Sequence, residues 1–270
     1  MGSLDGKVAI VTGAGRLRGI GRAAALALAG LGADIVVTGT GRDPEHYPAD
    51  EKAAGWRDIE STAEQVRGVG RRCLALVADV TDRVAVQQTV EATRQEFGRI
   101  DILINNSAFA RGRDRVPLTE LPEDVWRKVL DIKLTGSFLM SQAVVPTMIQ
   151  HGQGGSILNI SSIAGKKGNP NMLAYCTSNF GIQGFSQALA MELAPHNIRV
   201  NAVCPGIIDT SRMDDLGRGD TWDKTIKQLI PLNRPGSDEE IGKFLAYLCT
   251  PDASYITGQS LNIDGGMVMW

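Results

Sequence analysis

Seven short runs of apolar, β-favouring residues recur along the chain: KVAIVT (7–12), DIVVT (34–38), RCLALVAD (72–79), IDILIN (100–105), GSILNIS (155–161), IRVNAVC (198–204) and SLNID (260–264). Most are apolar on both faces of the extended chain, as fully covered strands are. Between them lie stretches with helical spacing, such as GRAAALALAGLG (21–32) and DVWRKVLDIKLTGSFLMSQAVVPTMI (124–149). Strand and helix in alternation predict an α/β protein, with a doubly wound parallel sheet of about seven strands and helices on both faces. No linker, low-complexity tract or fixed-period repeat interrupts the pattern, so residues 1–270 read as a single domain.

Two segments break the compact alternation. GTGRDPEHYPADEKAAGWRD (39–58) is polar and long for a strand-to-helix connection, and 209–236 follows the sixth strand at similar length. Ligands of open α/β sheets bind beyond the carboxyl ends of the strands, so both segments are candidate covers for cofactor and substrate.

Composition narrows the class. The chain is 43% apolar, enough for a full core, and its 28 basic and 30 acidic residues leave a formal charge of −2. That balance argues against nucleic acid as a partner. Cys73, Cys176, Cys204 and Cys249 form no metal-binding or disulfide pattern. No uninterrupted apolar run is long enough for a membrane span, and no secretory pattern opens the chain. A cytoplasmic protein without membrane attachment is expected.

The chemistry begins after the first strand, in TGAGRLRGIGRAAALALAG (12–30). Glycines there permit a tight turn that brings a pyrophosphate to a helix N-terminus, whose free amides favour an anion. This placement makes the sheet Rossmann-like. The turn resembles the TGxxxGxG motif of the short-chain dehydrogenase/reductase family. NNSA (105–108) resembles that family's NNAG, Asp79-Val80 its adenine-contacting pair, PGIIDT (205–210) its PGxxxT, and YITGQSLNIDGG (255–266) its last strand. The matches keep family order across nearly the whole chain. The departures are also clear: five residues separate Thr12-Gly13 from Gly19-x-Gly21 where the family has three, and Ala108 replaces a glycine.

The resemblance implies a nicotinamide cofactor held by Gly13, Gly15, Arg18, Gly19, Ile20, Gly21, Gly39, Thr40, Arg42, Asp79, Val80, Asn106, Ser107, Ala108, Tyr175, Asn179, Pro205, Gly206, Ile208 and Thr210. Where an acid at the end of the second strand would bind ribose hydroxyls, the chain has Gly39. Arg18 and Arg42 stand near enough to hold a 2′-phosphate, which favours NADP(H) over NAD(H). The alternative is that both arginines are solvated and Asp43 takes the place of the acid.

The same resemblance assigns Ser162, in NISSIAG, to the substrate oxygen, and Tyr175 to proton exchange. A phenol ordinarily titrates near ~10, so it needs a nearby positive charge to work at neutral pH. The family supplies this with a lysine four residues on, where this chain has Asn179. Upstream, where the family has asparagine in N-x-TG, this chain has Lys133 in KLTG. Reciprocal exchange predicts that Lys133 reaches the site, while Asn179 hydrogen-bonds a ribose hydroxyl or a relay water. The alternatives are a solvated Lys133, or a catalytically silent NADP(H)-binding sensor or regulatory protein.

The expected activity is interconversion of a secondary alcohol and a ketone, with a small carbonyl or alcohol compound as the partner molecule. An isomerase or dehydratase on the same fold is a lesser alternative. Met213, Leu216, Trp222, Ile226 and Leu229 are candidates for an apolar substrate wall, or for ordinary packing of a lid helix. No arginine cluster in the sequence points to an acidic substrate. The resemblance also implies a homodimer or homotetramer, and Trp270 at the apolar tail is a candidate contact.

Overall fold

A computed structural model of the protein describes residues 2–217 and 219–269. All seven expected strands form: β1 (Val8–Val11), β2 (Asp34–Gly39), β3 (Cys73–Val77), β4 (Ile102–Asn105), β5 (Gly155–Ile160), β6 (Ile198–Pro205) and β7 (Ser260–Ile263). They pair in parallel throughout, in the order β3-β2-β1-β4-β5-β6-β7. The order reverses direction between β1 and β4, which opens the crevice where such sheets bind ligands.

The period of two divides each strand between two cores. Ala9, Val11, Ile35, Val37, Ile102 and Ile104 face one layer, formed by α1 (Ile20–Gly30), α3 (Ile59–Gly68) and α9 (Asp238–Cys249). Ile10, Val36, Leu103 and Ile157 face the other layer, formed by α4 (Arg83–Phe97), α6 (Gly136–His151) and α7 (Leu173–Leu193). Helix α1 is rich in alanine because α9 lies against it. A side chain at Gly242 would put its Cβ 2.6 Å from the carbonyl carbon and oxygen of Ala23. Backbone cannot yield as a flexible side chain does. Gly242→Ala is therefore expected to destabilise the protein by about 2 kcal/mol, lowering its melting temperature by roughly 4–8 °C. An unchanged melting curve would mean that the two helices are not in close contact.

The two long segments are built rather than open. Segment 39–58 holds a 3₁₀ turn (Pro44–His46) and the short helix α2 (Ala49–Ala53), and it buries Tyr47, Glu51 and Trp56. Segment 209–236 holds a 3₁₀ stretch (Ser211–Leu216) and α8 (Asp220–Leu229). Within it Ile226 is buried, whereas Leu216 and Leu229 are exposed, so the expected apolar wall does not form as one stripe. Between α5 (Glu123–Leu130) and α6 the helical pattern is interrupted by a π-turn, Asp131–Thr135. Among the described residues, no helix is long and apolar enough to cross a membrane. Trp270 lies outside them.

Candidate active site

The glycine turn is fixed from the β4 side. The Thr12 hydroxyl accepts from the amides of Asn106 (3.0 Å) and Ser107 (3.1 Å), and the Asn106 side-chain amide donates to the carbonyls of Thr12 and Gly13, both at 2.9 Å. Gly13 has φ +66°, which suits glycine. A Cβ on Gly21 would meet Asn106 Nδ2 at 2.6 Å, so the helix start can come this close only without one. Asp238 accepts from the Gly19 amide at 2.9 Å. The first-turn amides of Ile20 and Gly21 have no intrahelical acceptor and point to where an anion would sit.

The two unusual lengths in the sequence explain each other. The Gly15 carbonyl accepts from Arg42 Nη2 and from Trp56 Nε1, each at 2.6 Å, and the Leu17 amide donates to the fully buried Glu51 at 3.0 Å. The two extra residues of the turn thus dock on the inserted 39–58 segment. Arg18 reaches the other way as well, to Asp50 (2.7 Å), Asp214 (2.5 Å) and Asp209 (3.5 Å), and so joins both covering segments.

Neither arginine expected at the ribose is therefore free of carboxylates. Arg42 bonds Glu51 at 2.7 Å and Asp58 through its backbone amide (3.0 Å) and Nε (3.1 Å). Asp43, the alternative acid, is exposed and caps the Pro44–His46 turn through the Glu45 amide. The carboxylate that approaches Gly39 is that of Asp58, which sequence position did not reveal. A Cβ at Gly39 would lie 3.9 Å from Asp58 Oδ2, and one at Gly15 would overlap Asp58 Oδ1.

Of the other expected cofactor contacts, Val80 is buried, while Asp79, Thr40 and Ala108 are exposed, and Asp79 accepts from the amide and hydroxyl of Thr81. Pro205 ends β6, the Gly206 amide bonds the Ile263 carbonyl at 3.1 Å, and Ile208 bridges to Gly236. Thr210 is buried, and the Ser211 amide after it donates to the Arg18 carbonyl at 3.1 Å.

The catalytic candidates come from three elements. Ser162 follows β5 and accepts from the Ala164 amide at 3.2 Å, so its hydroxyl is held in one direction. Tyr175 and Asn179 share one face of α7. The Asn179 amide donates to the Tyr175 carbonyl at 2.8 Å, and its Oδ1 is buried without a hydrogen-bond partner. Ser161 Oγ donates to the Asn179 carbonyl at 2.9 Å, which ties α7 to the end of β5.

Lys133 is not a solvated residue. It is 5% exposed, and its ammonium donates to the carbonyl of Ile160, two residues before Ser162, at 2.8 Å. The π-turn accounts for this direction, because one extra residue per turn rotates position 133 inward. Such insertions recur at functional sites. Burial, with Arg212 adding to it, pushes Lys133 down to about 7.

Two arginines that the sequence reading passed over also meet Tyr175. The guanidinium of Arg115 lies 3.9 Å from the ring centroid and that of Arg212 lies 5.3 Å from it. The signal was present: RGRDR (111–115) follows β4, and Arg212 sits in the segment already read as a substrate cover. Burial pushes Arg115 down, and Arg212 and Arg111 add to the shift.

The parallel sheet, its crevice between β1 and β4 and the glycine turn locked to the β4 end define a Rossmann-like fold. The chain belongs to the short-chain dehydrogenase/reductase family and is an NAD(P)-dependent oxidoreductase within it; residues 13–268 match the family model described as enoyl-(acyl carrier protein) reductase. It is 39% identical to a 3-oxoacyl-[acyl-carrier-protein] reductase of Synechocystis over the whole of both chains. It is 38% identical to trans-4-hydroxycyclohexanecarboxylate dehydrogenase of Sinomonas cyclohexanicum, covering 96% of this chain and 92% of that one. Carveol dehydrogenase of Mycobacterium avium, solved in complex with NAD, superimposes with a TM-score of 0.83 at 30% identity, covering 99% of each chain.

Proposed function

We propose that the protein interconverts a secondary alcohol and a ketone, with Tyr175 as the proton-exchanging group and Lys133 in place of the family's usual lysine. The observation that carries this reading is the buried Lys133 ammonium, held at the end of β5 by the Ile160 carbonyl, two residues before Ser162. The residues present fit a nicotinamide dinucleotide. The glycine turn leaves no room for side chains where the pyrophosphate would lie, and the orphaned Asn179 Oδ1 is an acceptor for a ribose hydroxyl. When bound, the nicotinamide supplies the two-electron carrier for the reaction. The protein's own share is to orient the substrate oxygen with Ser162 and exchange its proton with Tyr175. Lys133 stabilises negative charge on the phenolic oxygen as it develops. A silent nucleotide-binding protein has no need of a buried ammonium at the end of the strand that leads to Ser162.

For the nucleotide, the reading is NAD(H), against the NADP(H) expected from Arg18 and Arg42. A 2′-phosphate would have to displace Asp58 from Arg42 beside a second buried carboxylate, Glu51, whereas a ribose diol needs only to hydrogen-bond Asp58. The NAD bound to carveol dehydrogenase is consistent with this.

Initial rates with each nucleotide over a panel of ketones and alcohols test both readings. One alcohol of the panel carries a carboxylate, because a relative is named as a dehydrogenase of trans-4-hydroxycyclohexanecarboxylate. Asp58→Asn is expected to narrow the preference for NAD(H) by about tenfold, the worth of one charge–ligand interaction of ~1.4 kcal/mol. An unchanged ratio would remove Asp58 from nucleotide selection. Absence of turnover over the panel despite tight nucleotide binding would favour the silent protein.

A further inference from the structure

We propose that Arg115, assisted by Arg212, forms an anion subsite beside Tyr175, and that the substrate is an oxo acid or hydroxy acid whose carboxylate this subsite receives. The inference rests on the oxidoreductase reading and adds the substrate class.

Two loops converge here. The segment after β4 carries Arg111 and Arg115, and the segment after β6 carries Arg212. They are laced together, since Arg212 Nη1 donates to the Phe109 carbonyl at 2.6 Å and Arg111 pairs with Asp215 at 2.8 Å. Arg111 and Arg212 thus have anchors. Arg115 does not.

The Arg115 side chain is only 12% exposed, and its Nε and Nη1 are buried without a hydrogen-bond acceptor. Its nearest carboxylate, the wholly buried Asp114, lies 3.1 Å from Nη1, but neither Nη1 nor Asp114 Oδ2 gains a hydrogen bond from that approach. Buried donors in folded proteins are nearly always paired, so an orphaned guanidinium edge is an unmet demand for an acceptor. The Tyr175 ring, 3.9 Å away, meets the guanidinium as a cation and gives its Nε and Nη1 groups no hydrogen-bond acceptor.

The charge count points the same way. Arg111 and Arg212 lie close enough to Arg115 to lower its basicity, and the three guanidinium groups face two carboxylates, Asp114 and Asp215. A carboxylate relieves both shortfalls, because its two oxygens match the planar fork of arginine. Its place over Tyr175 would set the acid group a short distance from the carbon bearing the reacting oxygen.

The same arginines have a competing use, which is to supply charge to Tyr175 itself, and matched substrates separate the two. Oxidation of trans-4-hydroxycyclohexanecarboxylate is compared with that of its methyl ester, in wild type and in Arg115→Gln, Arg115→Lys and Arg212→Gln. The wild type is expected to favour the acid by about tenfold to a hundredfold in kcat/KM, the worth of a charge-assisted pair. Arg115→Gln should raise KM on the acid far more than on the ester, so that the acid-to-ester ratio of kcat/KM falls to near one. Arg115→Lys should recover part of it and also exclude misfolding as the cause. Equal losses on acid and ester, or a raised nucleotide Kd in the Arg212 variant without loss of acid preference, would overturn the proposal.

A binding measurement keeps this outcome apart from that of the oxidoreductase reading. Calorimetric titration with cyclohexanecarboxylate, against cyclohexanecarboxamide as control, should show acid-selective binding in wild type and in Tyr175→Phe but not in Arg115→Gln. Acid-selective binding without turnover of any substrate would support the subsite and sink the oxidoreductase reading. Turnover of neutral alcohols with no acid binding would do the reverse.

Discussion

Tyr175→Phe protein is expected to fold normally, to bind nucleotide as the wild type does, and to lose turnover by about 10³-fold, within the range found for positioned proton transfer. The substitution removes one oxygen and leaves the ring in place. That ring stays against the Arg115 and Arg212 guanidiniums, and the backbone carbonyl that Asn179 bonds is untouched. The loss should therefore appear in kcat, with little change in KM or in melting temperature. Formation of reduced nucleotide during oxidation of a secondary alcohol gives the rate, and a melting curve gives the control. Retained turnover would mean that another group moves the proton. Lys133, pushed down to about 7, is then the group to test, because it can exchange a proton near neutral pH.

The parts of the molecule that the sequence discloses are those set by local pattern. The strands could be read from runs such as DIVVT and IRVNAVC, because a strand buried on both faces is mostly apolar; β3 and β7, only partly buried, carried the weaker signal. The unusual lengths of the glycine turn and of the 39–58 segment were legible too. Their mutual fit was not, since the bonds from Arg42 and Trp56 to the Gly15 carbonyl join residues 27 and 41 positions apart. The charges of Arg18 and Arg42 were equally plain. Their value as phosphate ligands depended on whether carboxylates met them first, and Asp50, Asp58, Glu51 and Asp214 do. Asp58 shows the limit well. It comes close to Gly39 from nineteen residues downstream, a juxtaposition made by the fold of the insertion alone.

The exchanged pair was visible as residue types, but the inward direction of Lys133 was not. A regular helix through 124–149 fixes each residue's face by its spacing, and the π-turn at Asp131–Thr135 shifts that register by a residue. The arginines around Tyr175 were missed for a related reason. RGRDR reads as a solvated loop, and only the fold brings Arg115 back over a phenol sixty residues away.

Lys133→Ala is expected to lower kcat by about 10²–10³-fold, while Asn179→Ala mainly weakens nucleotide binding. The size follows from what is removed. A charge beside a reacting oxygen in a water-poor site stabilises developing charge by several kcal/mol, and losing one such group costs ~10²–10³ in rate. A structural role alone would give a different pattern, and the pH dependence of stability separates the two. Lys133 has its ordinary value near 10.5 when unfolded and about 7 when folded. Between those values the unfolded chain binds the extra proton, so stability rises with pH from about 7 toward 10.5, and the cost of burying the charge is full below 7. Lys133→Met should lack that rise and melt higher than wild type near pH 6, yet turn over far more slowly. A variant at once more stable in mild acid and catalytically crippled marks a group retained for its charge at the site, not for the fold. In wild type the fraction of charged Lys133 in the free enzyme falls as pH climbs through about 7, so kcat/KM for ketone reduction should decline there, and the Lys133→Met profile should be flat across the same interval. Wild-type turnover in Lys133→Ala would refute the exchange and leave the arginines above Tyr175 as the only cations placed against its ring among the described residues.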